Sequence, residues 1–536
     1  MSIAIDLKSQ KYDRQLRLWA TTGQQALEGA NICLLNVNST SCEIIKNLVL
    51  PGVGHVTIVD DEKITKDDIR SNFFLGPDST GLSKAKCAAE LLQELNEDVV
   101  VDYVEKSPVQ LIENDISFFE PFTMIIAVNL SDNYLPTIAS FCHHFSKSLI
   151  IGKSKGLVGF FSIQSPQHRI IETHPENTTD LRLNCPFKQL SEYVERYDLD
   201  SLDQTDHSQV PFVVILLKYA EIWKSEHEGQ LPQSYQQRQE FIKRLRADMR
   251  TPEEENFEEA IANVWRLAPT NNISSELRHI FEDPCCQNVN SNSPYFWILA
   301  RTVRDFIDNE GQGQLPLSGK LPDMKSDTCN YIALQNVYRE KALSDFNTIK
   351  ERVKDFHVQI PDETIELFCK NASNIRVIQY KLLSENQLSP EKLINLFNNE
   401  ENFCYYFVFK AADRFQSEYG YLPGINRKLL FLTFFLNFKL DSIEDYDKLE
   451  EQAQLLMEEL GIMSKDIEER ILKSDTFDKA LVNYLHFSNL ETPNLASLIG
   501  GLAAQEAIKM ITHQYIPINN TCVFNGISST SSVFEL

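Results

Sequence analysis

The first clear pattern along the chain is a continuous apolar run, Ile32-Cys33-Leu34-Leu35. Its length suits a strand covered on both faces. Residues 43–50 (EIIKNLVL) then place apolar side chains at helical spacing, and 54–59 (GHVTIV) forms a second strand-like run ending on Asp60-Asp61. Strand, helix and strand with an acidic tip is the opening layout of a dinucleotide- or ATP-binding fold. Further strands are predicted at 99–104, 124–128, 148–151 and 159–164, with helices at 84–95 and 135–145 between them. Such alternation predicts an α/β fold with a mainly parallel sheet and helices on its faces.

Beyond residue 168 the periodicity becomes mostly helical and the composition strongly charged. Ser293-Pro294 reads as a helix start, Ser as N-cap and Pro in the first turn, with Phe296, Leu299, Ala300, Val303, Phe306 and Ile307 as its apolar face. Thr251-Pro252-Glu253-Glu254 reads as another start, and 327–353 and 445–460 as further helices. From about residue 486 the pattern changes again. Residues 494–512 form a helix rich in small residues that carries Gly500-Gly501, and strands follow at 521–525 and 532–536. Two glycines inside a helix cost about 1 kcal/mol each relative to alanine, a cost tolerated where another backbone packs closely. The expected organisation is therefore 1–168, a helical insertion over 169–485, and a return over 486–536 that completes the first sheet.

The turn between the first strand and helix changes the picture. A phosphate-binding G-x-G-x-x-G loop uses glycine for the tight turn, for close approach of phosphate to backbone and for helix–strand packing. Here those three positions hold Asn36, Asn38 and Ser41. The scaffold of a nucleotide fold is kept and its cradle is crowded by side chains, so the chain is expected to assist a partner that retains the site.

Length and composition narrow the class further. With 536 residues the chain can build two to four domains, and its net charge of −25 argues against binding nucleic acid or an anionic membrane. The eleven cysteines are scattered, and no C-x-x-C occurs, so neither a zinc finger nor a metal site is expected. No signal peptide and no transmembrane span is seen, and the expected location is cytoplasmic or nuclear, with reduced thiols.

Tyr12-Asp13-Arg14-Gln15-Leu16-Arg17-Leu18-Trp19 resembles the opening motif of the activating enzymes for ubiquitin and ubiquitin-like modifiers. The degenerate loop, NLVLPGVGHVTIVDD after it, and Ser71-Asn72-Phe73-Phe74-Leu75 continue the likeness. Residues 257–263, 331–341 and the tail beginning ASLIGGLAAQEAIKMIT resemble one subfamily, the regulatory subunits of the heterodimeric activating enzymes of the neddylation pathway. The resemblance implies a degenerate, Rossmann-like adenylation fold, so that 1–168 is a pseudo-adenylation domain. The insertion then corresponds to a catalytic-cysteine domain without its cysteine.

The same resemblance implies roles. Active members carry an arginine after the S-N motif, absent here; a lysine in a G-x-x-K turn, kept as Lys84; and a magnesium-binding aspartate, of which Leu130-Ser131-Asp132-Asn133 is a remnant. Asp60, Lys84 and Asp132 are thus fragments of an ATP site, and no cofactor is expected on this chain, ATP and magnesium belonging to the partner. Cys185, nearest in position to the family's nucleophile, lacks the flanking motif. Arg14 is implied to act in trans in the partner's ATP site, with Arg17 a weaker candidate able to pair with Asp13, and Tyr12, Leu16 and Trp19 packing behind them. Tyr331, Leu334, Gln335, Tyr338 and Arg339 are expected to meet the partner. The implied partners are the catalytic subunit, the ubiquitin-like modifier and, indirectly, a conjugating enzyme. Two alternatives remain: a scaffold with no catalytic contribution, and the equivalent subunit for another modifier. A Rossmann oxidoreductase is disfavoured by the missing glycines.

Overall fold

The computed structural model describes residues 10–175, 179–268, 273–383, 388–424, 444–462, 468–487 and 490–536. The chain divides into two compact units, one from Met1–His168 with Ile378–Leu536 and one from Arg169–Val377.

The first unit is built on an eight-stranded sheet. Its strands are β1 (Asn31–Leu35), β2 (His55–Val59), β3 (Val100–Val104), β4 (Met124–Val128), β5 (Ser148–Lys155) and β6 (Val158–Gln164). After β7 (His168–Ile170) and β8 (Arg376–Ile378), which pair as a separate two-stranded sheet, β9 (Thr521–Asn525) and β10 (Thr530–Phe534) complete it. The order is β10-β9-β6-β5-β4-β1-β2-β3. The five strands from β3 to β5 are parallel, and β6, β9 and β10 add on antiparallel. The tail therefore returns to complete the sheet, as the sequence pattern predicts.

The continuous apolar runs have a simple cause: alternate side chains of one strand enter different cores. Ile32 and Leu34 join a core with the helices Ser39–Val49, Lys84–Gln93 and Pro493–Thr512. Cys33 and Leu35 face the opposite core, with the helix Leu135–His144. The order reverses between β1 and β4, which places the loops after these two strands at the switch point where α/β sheets bind ligands.

The expected insertion of 169–485 does not form one body. The helices Pro390–Asn399, Glu401–Tyr419, Glu444–Glu459 and Asp475–Phe487 belong to the first unit. They pack on Val158 and Phe160 of β6, Val523 of β9 and Phe534 of β10, a stretch of sheet that would otherwise face water. The second unit is helical and carries two cores of its own. The 26-residue helix Thr328–Val353, N-capped by Asp327, serves both, sending Leu334 and Tyr338 into one and Ile349 and Val353 into the other.

Two helix starts differ from expectation. Pro294 is the N-cap residue of the helix Tyr295–Asp308, while the Ser293 hydroxyl accepts the Asn290 N–H at 3.0 Å. The segment opened by Thr251 makes a turn, and its helix begins at Glu255, because the Glu254 carboxylate turns inward to Nδ1 of His207 at 2.7 Å.

Candidate functional site

The loop after β1 shows what replaces glycine at a nucleotide-type turn. Asn36 sits at φ 68, in the left-handed region that Asn tolerates best among residues with a Cβ. Its Nδ2 donates to the Val128 carbonyl at 2.9 Å, tying the loop to β4. Asn38 is the N-cap of the helix Ser39–Val49, and its side chain accepts the Ser41 N–H at 2.8 Å. Ser41 Oγ in turn accepts the Asn38 N–H at 2.8 Å, closing a capping box. The three residues thus do more than crowd a cradle. Asn38 and Ser41 take backbone N–H groups of the kind that would hold phosphate, and Asn36 anchors the turn.

The N–H groups of Val37 and Ser39 are also bonded. The Val37 N–H meets the Asp60 carboxylate at 2.7 Å, and that carboxylate also takes the Glu62 N–H at 2.7 Å. Burial pushes Asp60 up to about 6, against the pull of those two N–H groups and of the Lys84 ammonium. The Ser39 N–H donates to Oε2 of Glu491 at 2.9 Å, and Nδ2 of Asn129 donates to Oε1 of the same residue at 2.9 Å. Burial raises Glu491 above the usual carboxylate range, countered by Lys155, Asn129, the Ser39 N–H and Lys84.

The three expected remnants of the ATP site fall in two places. Lys84 pairs with Glu62 at 2.8 Å and Asp68 at 3.0 Å, near Asp60. Asp132 lies after β4, between the Lys153 ammonium at 3.1 Å and that of Lys410 at 2.8 Å, and Lys153 also meets Asp413. Although burial works to raise it, the two lysines hold the Asp132 carboxyl well below its ordinary range. A magnesium ion needs carboxylate oxygens free to bind it, and here they are held by cations of the chain itself. The residues present therefore do not fit a bound magnesium–nucleotide complex. Among the described residues, no cluster of His, Cys, Asp and Glu could hold a metal ion.

Glu491, Lys153, Lys155, Lys410 and Asp413 escaped the sequence reading. Glu491 is 452 positions from Ser39, and no local pattern announces such a bond. A weak signal did exist for the lysines: Lys153 and Lys155 carry charge into a strand that is otherwise buried.

Arg14 is exposed in the first turn of the helix Asp13–Glu28 and makes no ion pair among the described residues. Arg17, also exposed, is bound to Asp13 at 2.9 Å. Tyr12 is buried; its hydroxyl donates to Asp98 at 2.9 Å and accepts from Nδ2 of Asn96 at 3.1 Å. Leu16 and Trp19 are half-buried. The helix breaks at Trp19–Ala20, where Trp19 lies over Gly23 so closely that a Cβ there would come within 2.7 Å of it.

The second unit corrects one expectation. Leu334 and Tyr338 are fully buried in its core, and the Tyr338 hydroxyl donates to the Leu181 carbonyl at 2.6 Å. They hold the helix in place and offer a partner no surface. Tyr331 and Gln335 are half-buried and Arg339 is exposed. Cys185 is exposed and has no hydrogen-bond or ion-pair partner among the described residues. No described helix is long and apolar enough to cross a membrane.

Residues 12–536 match the model of the ThiF family. The chain is 38% identical over 555 residues to the NEDD8-activating enzyme E1 regulatory subunit of Xenopus laevis, covering 100% of both chains. It is 39% identical to the subunit of that name in Gallus gallus, covering 99% of this chain and 98% of the relative. It is 36% identical to the NEDD8-activating enzyme E1 regulatory subunit AXR1 of Arabidopsis thaliana, covering 98% and 96%.

Proposed function

Since the chain belongs to the ThiF family and matches NEDD8-activating enzyme E1 regulatory subunits over their full length, we propose that it is the regulatory half of such an enzyme. It pairs with a catalytic subunit that binds magnesium and ATP, adenylates the C-terminus of the ubiquitin-like modifier and then takes it as a thioester. This chain binds no nucleotide of its own. It meets a conjugating enzyme only through that partner, and it works in the cytoplasm, the nucleus or both. The observation that carries this reading is the state of its own loop, where Asp60, Ser41, Glu491 and Asn38 already accept the N–H groups of Val37, Asn38, Ser39 and Ser41.

Its chemical contribution is Arg14, acting in the partner's ATP site. When the modifier's carboxylate attacks the α-phosphate and pyrophosphate leaves, negative charge must be stabilised. A guanidinium answers with permanent charge and planar donors. Arg14 suits this better than Arg17, whose charge is already met by Asp13. Tyr331, Gln335 and Arg339 contribute contact with the partner, and the net charge of −25 favours docking of a basic modifier surface.

ATP–pyrophosphate exchange with NEDD8 tests the assignment on this chain alone, the catalytic subunit alone and the mixture. Exchange is expected only in the mixture, and Arg14→Ala should lower its kcat by about 100-fold. Exchange by this chain alone would defeat the division of labour. Full activity of the Arg14→Ala mixture would leave the chain a scaffold without a catalytic part.

A further inference from the structure

A capped helix with a half-buried carboxylate at its N-terminus, and two lysines on one aspartate, lie at the loops after β1 and β4, where a nucleotide fold keeps its ligand. We propose that the chain fills its own vestigial nucleotide site. The Glu491 carboxylate takes the place of a phosphate at the N-terminus of the helix Ser39–Val49, and the Lys153 and Lys410 ammonium groups take the place of magnesium at Asp132. The inference rests on the reading above that nucleotide belongs to the partner's site, and it names what occupies this one.

Helix N-termini attract anions because N–H groups point outward and the helix dipole adds partial positive charge. At this terminus the anion is supplied in cis, with one oxygen on the Ser39 N–H and the other on Asn129 Nδ2. The half-buried Lys155, whose ammonium burial disfavours, gains its counter-charge from Glu491. The surrounding chain is built to aim this carboxylate. The Gly156 N–H donates to the Leu490 carbonyl at 2.7 Å, and the Thr492 hydroxyl donates to the Gly156 carbonyl at 2.6 Å, so residues on both sides of Glu491 are stapled to the turn between β5 and β6. Gly156 sits at φ 60, and a Cβ there would come within 2.4 Å of Phe487, so the turn admits little but glycine.

The magnesium half follows the same logic with opposite sign. Asp132 is the residue that resembles the family's magnesium-binding aspartate, and its two carboxylate oxygens each receive a lysine ammonium. Lys410 comes from the helix Glu401–Tyr419 and Lys153 from β5, so elements distant in sequence close on one carboxylate. Anion and cation of a magnesium–nucleotide complex are both replaced by side chains that cannot leave.

Chemical rescue of the full chain tests this. Thermal melting of wild type, Glu491→Ala and Glu491→Gln is followed in sodium formate and, at equal ionic strength, in sodium chloride, and for wild type also with magnesium–ATP. Glu491→Ala should melt on the order of 5 °C lower, having left the Ser39 N–H and the Asn129 amide without an acceptor. Formate should restore at least half of that loss and chloride should not. Glu491→Gln should melt lower without rescue, since the amide fills the space but turns a donor toward a donor. An alanine variant that melts like wild type, or one that formate rescues no better than chloride, overturns the inference. If the alanine variant does not fold, hydrogen exchange of the Ser39 amide in Glu491→Met, which fills the space with no oxygen acceptor, decides: faster exchange than wild type supports the plug, and unchanged protection defeats it. Stabilisation of the wild-type chain by magnesium–ATP would instead sink the functional reading itself, whereas failed rescue without it sinks the plug alone.

Discussion

Asp60 stands at the tip of β2, where a nucleotide fold would use an acid to hold ribose, and here it holds its own loop through the N–H groups of Val37 and Glu62. The carboxyl ionises from 3.8 in the unfolded chain but only near 6 in the fold, because burial disfavours the charge. The folded state therefore binds the proton more tightly, and this contribution to stability is complete below 3.8 and lost as pH rises through 6. Asp60→Asn removes the titration. The melting temperature of wild type should fall relative to this variant between about pH 4 and about pH 7 and then run parallel to it. A gap that stays constant across the range would contradict the assignment. The residue was legible as an acid at a strand tip, and so was the loss of glycine at Asn36, Asn38 and Ser41. What those side chains do was not. Asn36 was read as an obstruction, yet it keeps the left-handed turn that a glycine would have made. Glu491, which takes the Ser39 N–H, lies in a segment whose local pattern points only to the start of the next helix.

The helix Pro493–Thr512 shows how far pattern alone reaches at the scale of an element. It starts one residue before the predicted position and ends at the predicted one, and its two glycines were expected to mark a close backbone approach. Only one does. A Cβ on Gly500 would come within 2.6 Å of the Glu43 Cβ and 3.0 Å of the backbone of Glu43 and Ile44, whereas one on Gly501 would meet nothing within 4 Å. Gly500→Ala should therefore destabilise by about 1–3 kcal/mol through overpacking against the helix Ser39–Val49. Gly501→Ala should be neutral or stabilise by up to about 1 kcal/mol, because alanine is the better helix former. Denaturant melts of the two variants check this pair, and equal effects would contradict it. Composition could not separate the two glycines, since the difference lies in a neighbouring helix more than 400 positions away along the chain. The helix Thr328–Val353 teaches the same lesson. Its existence was plain, but which face is buried depends on the cores it crosses, so Leu334 and Tyr338 went to the interior although they were expected at an interface.

At the scale of the whole molecule, amphipathic helices announce that they cover something without saying what. The helices between 390 and 487 look like a continuation of the helical region before them, which is why one insertion was expected. Their apolar faces belong to a sheet whose last strands arrive more than thirty residues later in the chain, with Val523 and Phe534 completing the surface begun by Val158 and Phe160. Phe403 packs edge-on to Phe534 with ring centroids 5.6 Å apart, and Phe409 packs likewise on Phe160 at 5.4 Å. These helices are thus a second layer of the α/β unit, covering the face of the antiparallel end that carries Val158, Phe160, Val523 and Phe534, while the helix Pro493–Thr512 packs on Phe161 and Ile163 of the opposite face. The unit Arg169–Val377 closes two cores from its own residues and needs no such layer. The two parts should then behave differently when separated. A fragment of residues 169–377 should be monomeric and unfold cooperatively on heating. The chain with residues 388–487 deleted should aggregate, because Phe160, Val523 and Phe534 would lie on an open sheet face, and large exposed apolar patches drive association. Sedimentation velocity and thermal melting of both decide the matter. A monomeric, cooperatively melting deletion variant would mean that these helices form a body of their own, as the periodicity alone first suggested.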